Sequence, residues 1–330
     1  MGKNELYDKG GKPKISVVMA TFNGERYVKE QIESILNQTV RPDEIVICDD
    51  CSDDKTIQII KDILHRENII YKFIQHKENK GVLVSFYDAL MDATGDIIFF
   101  SDQDDVWKEH KIEQIYPYLL DKSTNLVFCN ADVVDCDLNP IGKTLWEIIK
   151  FTPTKSNDKI ISITSIQELV KRNYVTGMCM AIRKQLLDDL EQLSQYMLHD
   201  EFFAWKALSS GRIIAINTSY ILYRQHDKNV IGVKGKKRIR NRTEMIQKII
   251  ESNTKKYNKL LEISTWFNNK NEAILLNEAV DFYNWRQSIY TQKSKTKIIS
   301  WIKYNMNGFY KKFCAKNEHA RLKDLFLIIT

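Results

Sequence analysis

Residues 97–107 read IIFFSDQDDVW, and the fold follows from how those eleven residues divide. Ile97–Phe100 are apolar without alternation, as in a strand covered on both faces. The run then breaks into Ser101-Asp102-Gln103-Asp104-Asp105, residues that belong in a loop at the end of such a strand. Upstream, Ile15–Met19, Glu44–Cys48 and Ile69–Ile74 repeat the apolar run. Between them lie stretches of helical period, marked by Val28, Ile32, Ile35 and Leu36, then by Ile57, Ile60 and Leu64, then by Val82–Met91. Downstream come a helix near Lys108–Leu120 and a strand at Leu126–Cys129. Strands alternating with helices predict an α/β fold with a mostly parallel sheet and helices on both faces.

In such sheets, ligands bind beyond the C-terminal ends of the strands. Strand one is followed by Ala20-Thr21-Phe22-Asn23-Gly24-Glu25, strand two by Asp49-Asp50-Cys51-Ser52-Asp53-Asp54, and strand four by the segment from Ser101. Carboxylates at 49, 50, 102 and 104 therefore converge on one sheet edge. Crowded carboxylates repel, and a cation or hydrogen-bond donors must hold them. A divalent metal bridging a diphosphate meets that need. Acidic loop residues also cap helices, and Ser52 or Asp53 is expected to cap the helix carrying Ile57. No Gly-x-x-x-x-Gly-Lys loop is present, nor Gly-x-Gly-x-x-Gly after strand one, which disfavours P-loop phosphotransferases and dinucleotide oxidoreductases.

The net charge of +6 over 330 residues conceals an asymmetry. Residues 233–330 hold 21 Lys/Arg against 8 Asp/Glu, whereas residues 1–232 hold 28 against 35. We therefore expect a polar tail over 1–14, a catalytic domain over 15–232 and a basic helical region over 233–330, with helices about Ile246–Phe267, 272–290 and 296–314. A basic module points to an anionic partner, a nucleic acid or a membrane surface. No apolar run approaches a membrane span, and no apolar leader opens the chain. These features predict a cytoplasmic protein with free thiols. Cys48 and Cys51 form a lone C-x-x-C without a second pair at zinc spacing.

The segments ISVVMATFNGERYV, EIVICDDCSDD and FFSDQDDVW resemble glycosyltransferase family 2, whose GT-A fold is a Rossmann-like nucleotide-binding sheet. VTGMCMAIRK, HDEFFAW and LYRQHDKNVIG are similar to bacterial rhamnosyltransferases of cell-wall and capsular polysaccharide assembly. The likeness covers about residues 15–232. It implies an inverting, metal-dependent transfer from a nucleotide diphosphate sugar, such as dTDP-rhamnose or a UDP-hexose, to a saccharide acceptor. Ala20, Phe22, Asn23, Glu25, Asp50, Asp102 and Gln103 would hold the nucleotide sugar, with Phe22 on the nucleobase and Asp50 on its imide. Asp104 and His226 would bind Mg²⁺ or Mn²⁺, and Asp200 would be the general base. Where the family usually has glycine, this chain has Cys51.

A contrasting reading is a non-catalytic carbohydrate or nucleic-acid binding protein. The basic region carries no zinc pattern or RNA-binding signature, which speaks against nucleic acid. If the acceptor is lipid-linked, residues 295–316 offer Trp301, Ile302, Phe309 and Phe313 for the inner face of the plasma membrane. The same residues would otherwise serve a homodimer or pack on protein.

Overall fold

The computed structural model describes residues 12–67, 69–152, 160–163, 165–188, 190–191, 193–226, 242–291 and 296–329. Most of the expected polar tail, and the expected boundary near 232, lie outside these residues. The chain divides into two compact units, one of Met1–Thr164 with Val175–Val233, the other of Ser165–Tyr174 with Lys234–Thr330. Residues 165–174, within the span expected of the catalytic domain, thus pack with the C-terminal helices.

The first unit alternates β1 (Ile15–Thr21), α1 (Val28–Leu36), β2 (Glu44–Asp49), α2 (Thr56–Arg66), β3 (Ile70–Gln75), α3 (Val82–Asp92) and β4 (Ile97–Ser101). Then follow β5 (Val106–Trp107), α4 (Lys111–Leu119), β6 (Thr124–Val134), β7 (Pro140–Thr144), α5 (Leu145–Ile149) and β8 (Ile160–Ile163). The unit closes with β9 (Met180–Arg183), α7 (His199–Ser210) and β10 (Arg212–Arg224). These strands form one mixed sheet in the order β3-β2-β1-β4-β9-β6-β10-β5, with β7 on β6 and β8 on β10. Strands β3, β2, β1 and β4 are parallel; β1, β2 and β4 are the doubly apolar, buried strands, whereas β3 is the half-exposed edge. β9 inserts antiparallel between β4 and β6.

The order reverses at β1, because the chain runs outward to β3 and returns to add β4 on the other side. The registers Thr21 with Asp49 and Met19 with Ser101 bring the ends of β1, β2 and β4 together at that switch point. Beneath it Ile15, Val17, Met19, Ile45, Ile47, Ile97 and Phe99 are buried, packed against Val28, Ile32, Ile35 and Ile60 of the covering helices. All six cysteines are free thiols.

The second unit contains α6 (Ile166–Lys171), α8 (Arg242–Ser264), α9 (Lys270–Thr291), α10 (Thr296–Met306), α11 (Phe309–Phe313) and α12 (Asn317–Ile329). The single helix expected over 296–314 is broken at Gly308, whose φ of +71° is left-handed and favours glycine. Phe313 and Phe282 are fully buried, and Phe309 and Tyr310 stack around Phe282. Phe313 is therefore an internal packing residue and the half-buried Phe309 packs on Phe282 and Tyr304, so the two do not form a membrane-facing pair. At the centre Arg286 grips the buried Asp324 with two bonds of 2.7 and 3.0 Å, and the Tyr310 hydroxyl donates to the same carboxylate at 2.8 Å. Among the described residues no helix is long and apolar enough to cross a membrane.

Candidate active site

The loops after β1, β2 and β4 are tied to one another by their own side chains. Gln103 accepts from the Phe22 amide at 2.8 Å and returns its Nε2 to the Phe22 carbonyl at 2.9 Å. Gly24 is needed for that pairing, because a Cβ there would lie 2.3 Å from the Gln103 carbonyl oxygen. Asn23 Oδ1 accepts from the Asp53 amide, and Glu25 Oε2 accepts from the Lys55 amide. The start of α2 is held by Asp54, which accepts from the Thr56 amide at 2.9 Å. Ser52 and Asp53, the expected caps, do not serve there; Ser52 donates instead to Asp49. Of the residues expected to hold the nucleotide, Asn23, Glu25 and Gln103 are thus engaged in shaping the loops. Phe22 stands 45% exposed at the rim, its ring free to stack, and Ala20 lies half-buried on β1.

Asp50 is buried and heavily bonded. Its carboxylate accepts from the amides of Lys80 and Gly81 at 2.8 Å and pairs with His76 Nδ1 at 2.8 Å. Burial opposes its ionisation, but the bonds from His76, Lys80 and Gly81 hold the carboxyl below its ordinary value. Three of about four lone-pair positions are taken, which leaves room for one donor from a base. His76 Nε2 meets Asp88 at 2.8 Å and Cys48 Sγ at 3.3 Å. Cys48, His76 and Asp88 bring ligand-type atoms within 4.8 Å of one another. Both imidazole nitrogens already face carboxylates, so the cluster is satisfied as a hydrogen-bonded network. Cys51 Sγ turns toward the Lys77 carbonyl, so the two cysteines of the C-x-x-C do not converge.

Cys51 has φ +67°, the left-handed conformation that costs a non-glycine residue about 1–2 kcal/mol. That explains the glycine usual at this position. After the entropy that glycine loses on folding, Cys51→Gly is expected to stabilise the protein by about 0.5–1 kcal/mol in urea unfolding. Destabilisation would show that the thiol contact outweighs the strain.

The loop after β4 gathers charge. Asp104 Oδ2 lies 2.8 Å from His226 Nε2, and the His226 ring stacks on Tyr27 at 5.0 Å. Asp105 is fully buried and accepts from the Arg224 amide at 3.0 Å. The Arg224 guanidinium donates to the Asp104 and Cys136 carbonyls and to Glu30. Burial, reinforced by Asp104 and Asp200, pushes the Asp102 carboxyl up to about 7. Burial also raises Asp105 well above the carboxylate range, with Asp104 and Asp102 adding to it. The compensating cation is Lys111, itself buried, donating to the Met178 carbonyl at 2.7 Å and lying over Trp107. Burial depresses its amine to about 8. Lys111 acts on Asp102 and Asp105, while the Arg224 guanidinium adds a second buried cation at the Asp104 carbonyl. Asp104 and His226 pair a carboxylate with an imidazole, two donors of the kind Mg²⁺ or Mn²⁺ takes beside phosphate oxygens, and so fit such an ion.

Asp200 stands in the first turn of α7, buried, with its Oδ1 accepting from the Glu201 amide at 2.6 Å. Burial pushes its carboxyl up to about 7, against a hydrogen bond from the Gly177 backbone. Beside it His199 is clamped between Phe86, at 4.1 Å, and Phe100, at 5.6 Å. Burial drops that imidazole to about 3, so it is neutral. A Cβ at Gly177 would lie 2.4 Å from His199 Nε2. Gly177 thus sets the approach of its own loop to the start of α7. The structure brings Asp102, Asp104, Asp200 and His226 to one end of the sheet, with Phe22 at the rim.

Asp105, Lys111, His76 and Gly177 were given no role by sequence reasoning. The signal available for Lys111 was weak, a lysine on the apolar stripe formed with Ile112 and Ile115. Gly177 lies within VTGMCMAIRK, where no local pattern marks it.

Comparison with known proteins gives the same class. The model of the glycosyl transferase family 2 matches residues 16–191. The chain belongs to glycosyl transferase family 2. A Haemophilus influenzae glycosyltransferase is 33% identical over 192 residues, 57% of this chain and 76% of that protein. Bacillus subtilis EpsE is 39% identical over 107 residues, which span 32% of this chain and only 38% of EpsE. Escherichia coli WfgD, named as a UDP-Glc:alpha-D-GlcNAc-diphosphoundecaprenol beta-1,3-glucosyltransferase, is 24% identical over 63% of this chain and 74% of its own length. Among solved structures, Staphylococcus aureus TarS 1–349 in complex with UDP-GlcNAc superposes with a TM-score of 0.59 at 18% identity, covering 94% of this chain and 79% of TarS. A Pyrobaculum calidifontis mannosyltransferase in complex with GDP-Man and Mn²⁺ gives 0.52 at 15% identity, over 99% of this chain and 90% of that one. Both structures share the GT-A fold.

Proposed function

We propose that this glycosyltransferase is inverting and metal-dependent, moving a sugar from a nucleoside diphosphate to a saccharide hydroxyl in surface polysaccharide assembly. The observation that carries the reading is Asp200, a buried carboxyl raised to about 7, set close enough to Asp102 for the two charges to repel. A group titrating near neutrality is poised to take and release a proton. TarS, crystallised with UDP-GlcNAc, and WfgD, named for a diphosphoundecaprenol acceptor, support a nucleotide-sugar donor and a lipid-linked saccharide acceptor.

In this mechanism Phe22 stacks on the nucleobase and the remaining lone pair of Asp50 accepts from its imide. Asp102 takes the ribose or sugar hydroxyls, and Gln103 keeps the β1 loop in place beneath them. Asp104 and His226 would hold Mg²⁺ or Mn²⁺, which supplies positive charge against the departing diphosphate; the Mn²⁺ in the mannosyltransferase supports that choice. Asp200 accepts the proton of the acceptor hydroxyl as its oxygen attacks the anomeric carbon. The nucleoside diphosphate leaves from the opposite face, so configuration inverts in one displacement.

A panel of nucleotide sugars, dTDP-rhamnose and UDP-hexoses first, tests the proposal by release of nucleoside diphosphate. Turnover of one donor is expected with Mg²⁺ or Mn²⁺. Failure of the whole panel with acceptor extracts present sinks the reading.

A further inference from the structure

The second unit carries an apolar face that its own packing leaves open. On α10, Ile298, Ile302 and Met306 follow at intervals of four, and Ile299 falls within the same arc. They are exposed by 39%, 45%, 79% and 67% respectively. At 3.6 residues per turn these four share about 100° of the helix surface. The opposite side of α10 is committed, because Trp301 Nε1 donates to the Arg321 carbonyl and Tyr304 stacks on Trp285 and Phe309. α12, which packs on α10, exposes Leu322 by 59% and Phe326 by 44%. Isolated exposed apolar residues are ordinary; a stripe of this kind on one short helix marks a contact surface.

Charge names the partner. From 296 to 330 the chain holds seven Lys/Arg against two Asp/Glu. Lys303, exposed, borders the stripe on α10, and Lys311 and Lys316 are exposed just beyond it. A second copy presenting the same positive face would be repelled, whereas anionic head groups would be attracted. An apolar stripe flanked by lysines is also the composition of a helix lying in a lipid interface.

We propose that the Ile298–Met306 face of α10 seats this protein on an anionic lipid surface. Ile298, Ile299, Ile302 and Met306 enter the head-group boundary while Lys303, Lys311 and Lys316 pair with lipid phosphates. The inference does not depend on the identity of the donor or on the metal, and its readout is binding alone.

The test is co-sedimentation of the full chain with vesicles of phosphatidylcholine, with and without about a third of phosphatidylglycerol. Binding is expected only with the anionic lipid and should weaken as salt rises. The double variant Ile299→Asp, Met306→Asp is expected to bind at least about tenfold more weakly. Reversing Lys303 and Lys311 to Glu leaves the apolar stripe intact and should lose at least about fivefold for each charge removed. Unchanged thermal melting shows that the variants are folded. Wild type remaining in the supernatant with anionic vesicles at low salt overturns the proposal. So does a double variant that sediments like wild type, or a lipid-free dimer that the double variant dissociates.

Discussion

Replacing Asp200 by Asn should lower sugar transfer by at least about 10²-fold while donor binding survives. Asn keeps the size of the side chain but cannot accept a proton at neutral pH. The Glu201 and Gly177 backbone donors retain an acceptor in the amide oxygen, so the start of α7 should hold. Single-turnover transfer together with donor affinity decides the matter. Equal losses in both would give Asp200 a structural or metal-holding role instead. The wild-type rate should climb with pH as Asp200 and Asp102, both raised by burial, give up their protons, along a limb that a bound divalent cation moves downward. Because the two interact, that limb belongs to the pair.

Stability should move the other way. Both carboxyls are raised above the ordinary value of 3.8 in the fold. The folded chain therefore holds protons that the unfolded chain has already released. Their contribution is fully present below pH 3.8 and is lost as pH rises through about 7, a change of a few kcal/mol.

Removing the Asp104 carboxylate should abolish most turnover, by about 10²–10³-fold, and do so without unfolding the protein. Asp104 sits in a loop outside the apolar core, and Asp104→Ala removes its carboxylate together with the 2.8 Å bond to His226. It also relieves repulsion, since Asp104 helps to raise both Asp102 and Asp105. Thermal melting at pH 8 is expected to stay level or rise, while retention of Mn²⁺ after desalting falls. In wild type, EDTA should silence transfer, with Mg²⁺ or Mn²⁺ restoring it. Transfer from a nucleotide-diphosphate donor that persists in chelator would remove the metal from the proposal.

Much of this site was legible in local sequence. A run such as Ile97–Phe100 leaves no polar face, so it demands a buried strand. The aspartates after it must then fall at the strand end, where the parallel sheet places its ligands. The helix stripes Val28, Ile32, Ile35 and Leu36 were equally plain, since a period of 3.6 residues is a local property. Phe22 was marked only by the resemblance to the family; its exposure at the rim is a property of the structure.

Other features had no local signal. β9, only four residues long, is too short for a pattern, yet it lies between β4 and β6. Asn23 and Glu25 resemble ligand-binding residues in sequence; only their bonds to Asp53 and Lys55 show them shaping the loop. Phe309 and Phe313 fit an interfacial pattern equally well until the break at Gly308 turns them inward.

The sequence by itself determined the parallel core, the acidic loops at its edge and the basic helical end, because each is written in neighbouring residues. Only the tertiary structure decided which distant groups meet. The antiparallel pairing of β10 with β5 carries Arg224 and His226 across some 120 positions to Asp105 and Asp104. It also decided that Lys111 is buried beside Asp102 and Asp105 and that burial raises Asp200 to about 7. Charge and desolvation depend on separation in space, and separation along the chain does not encode it.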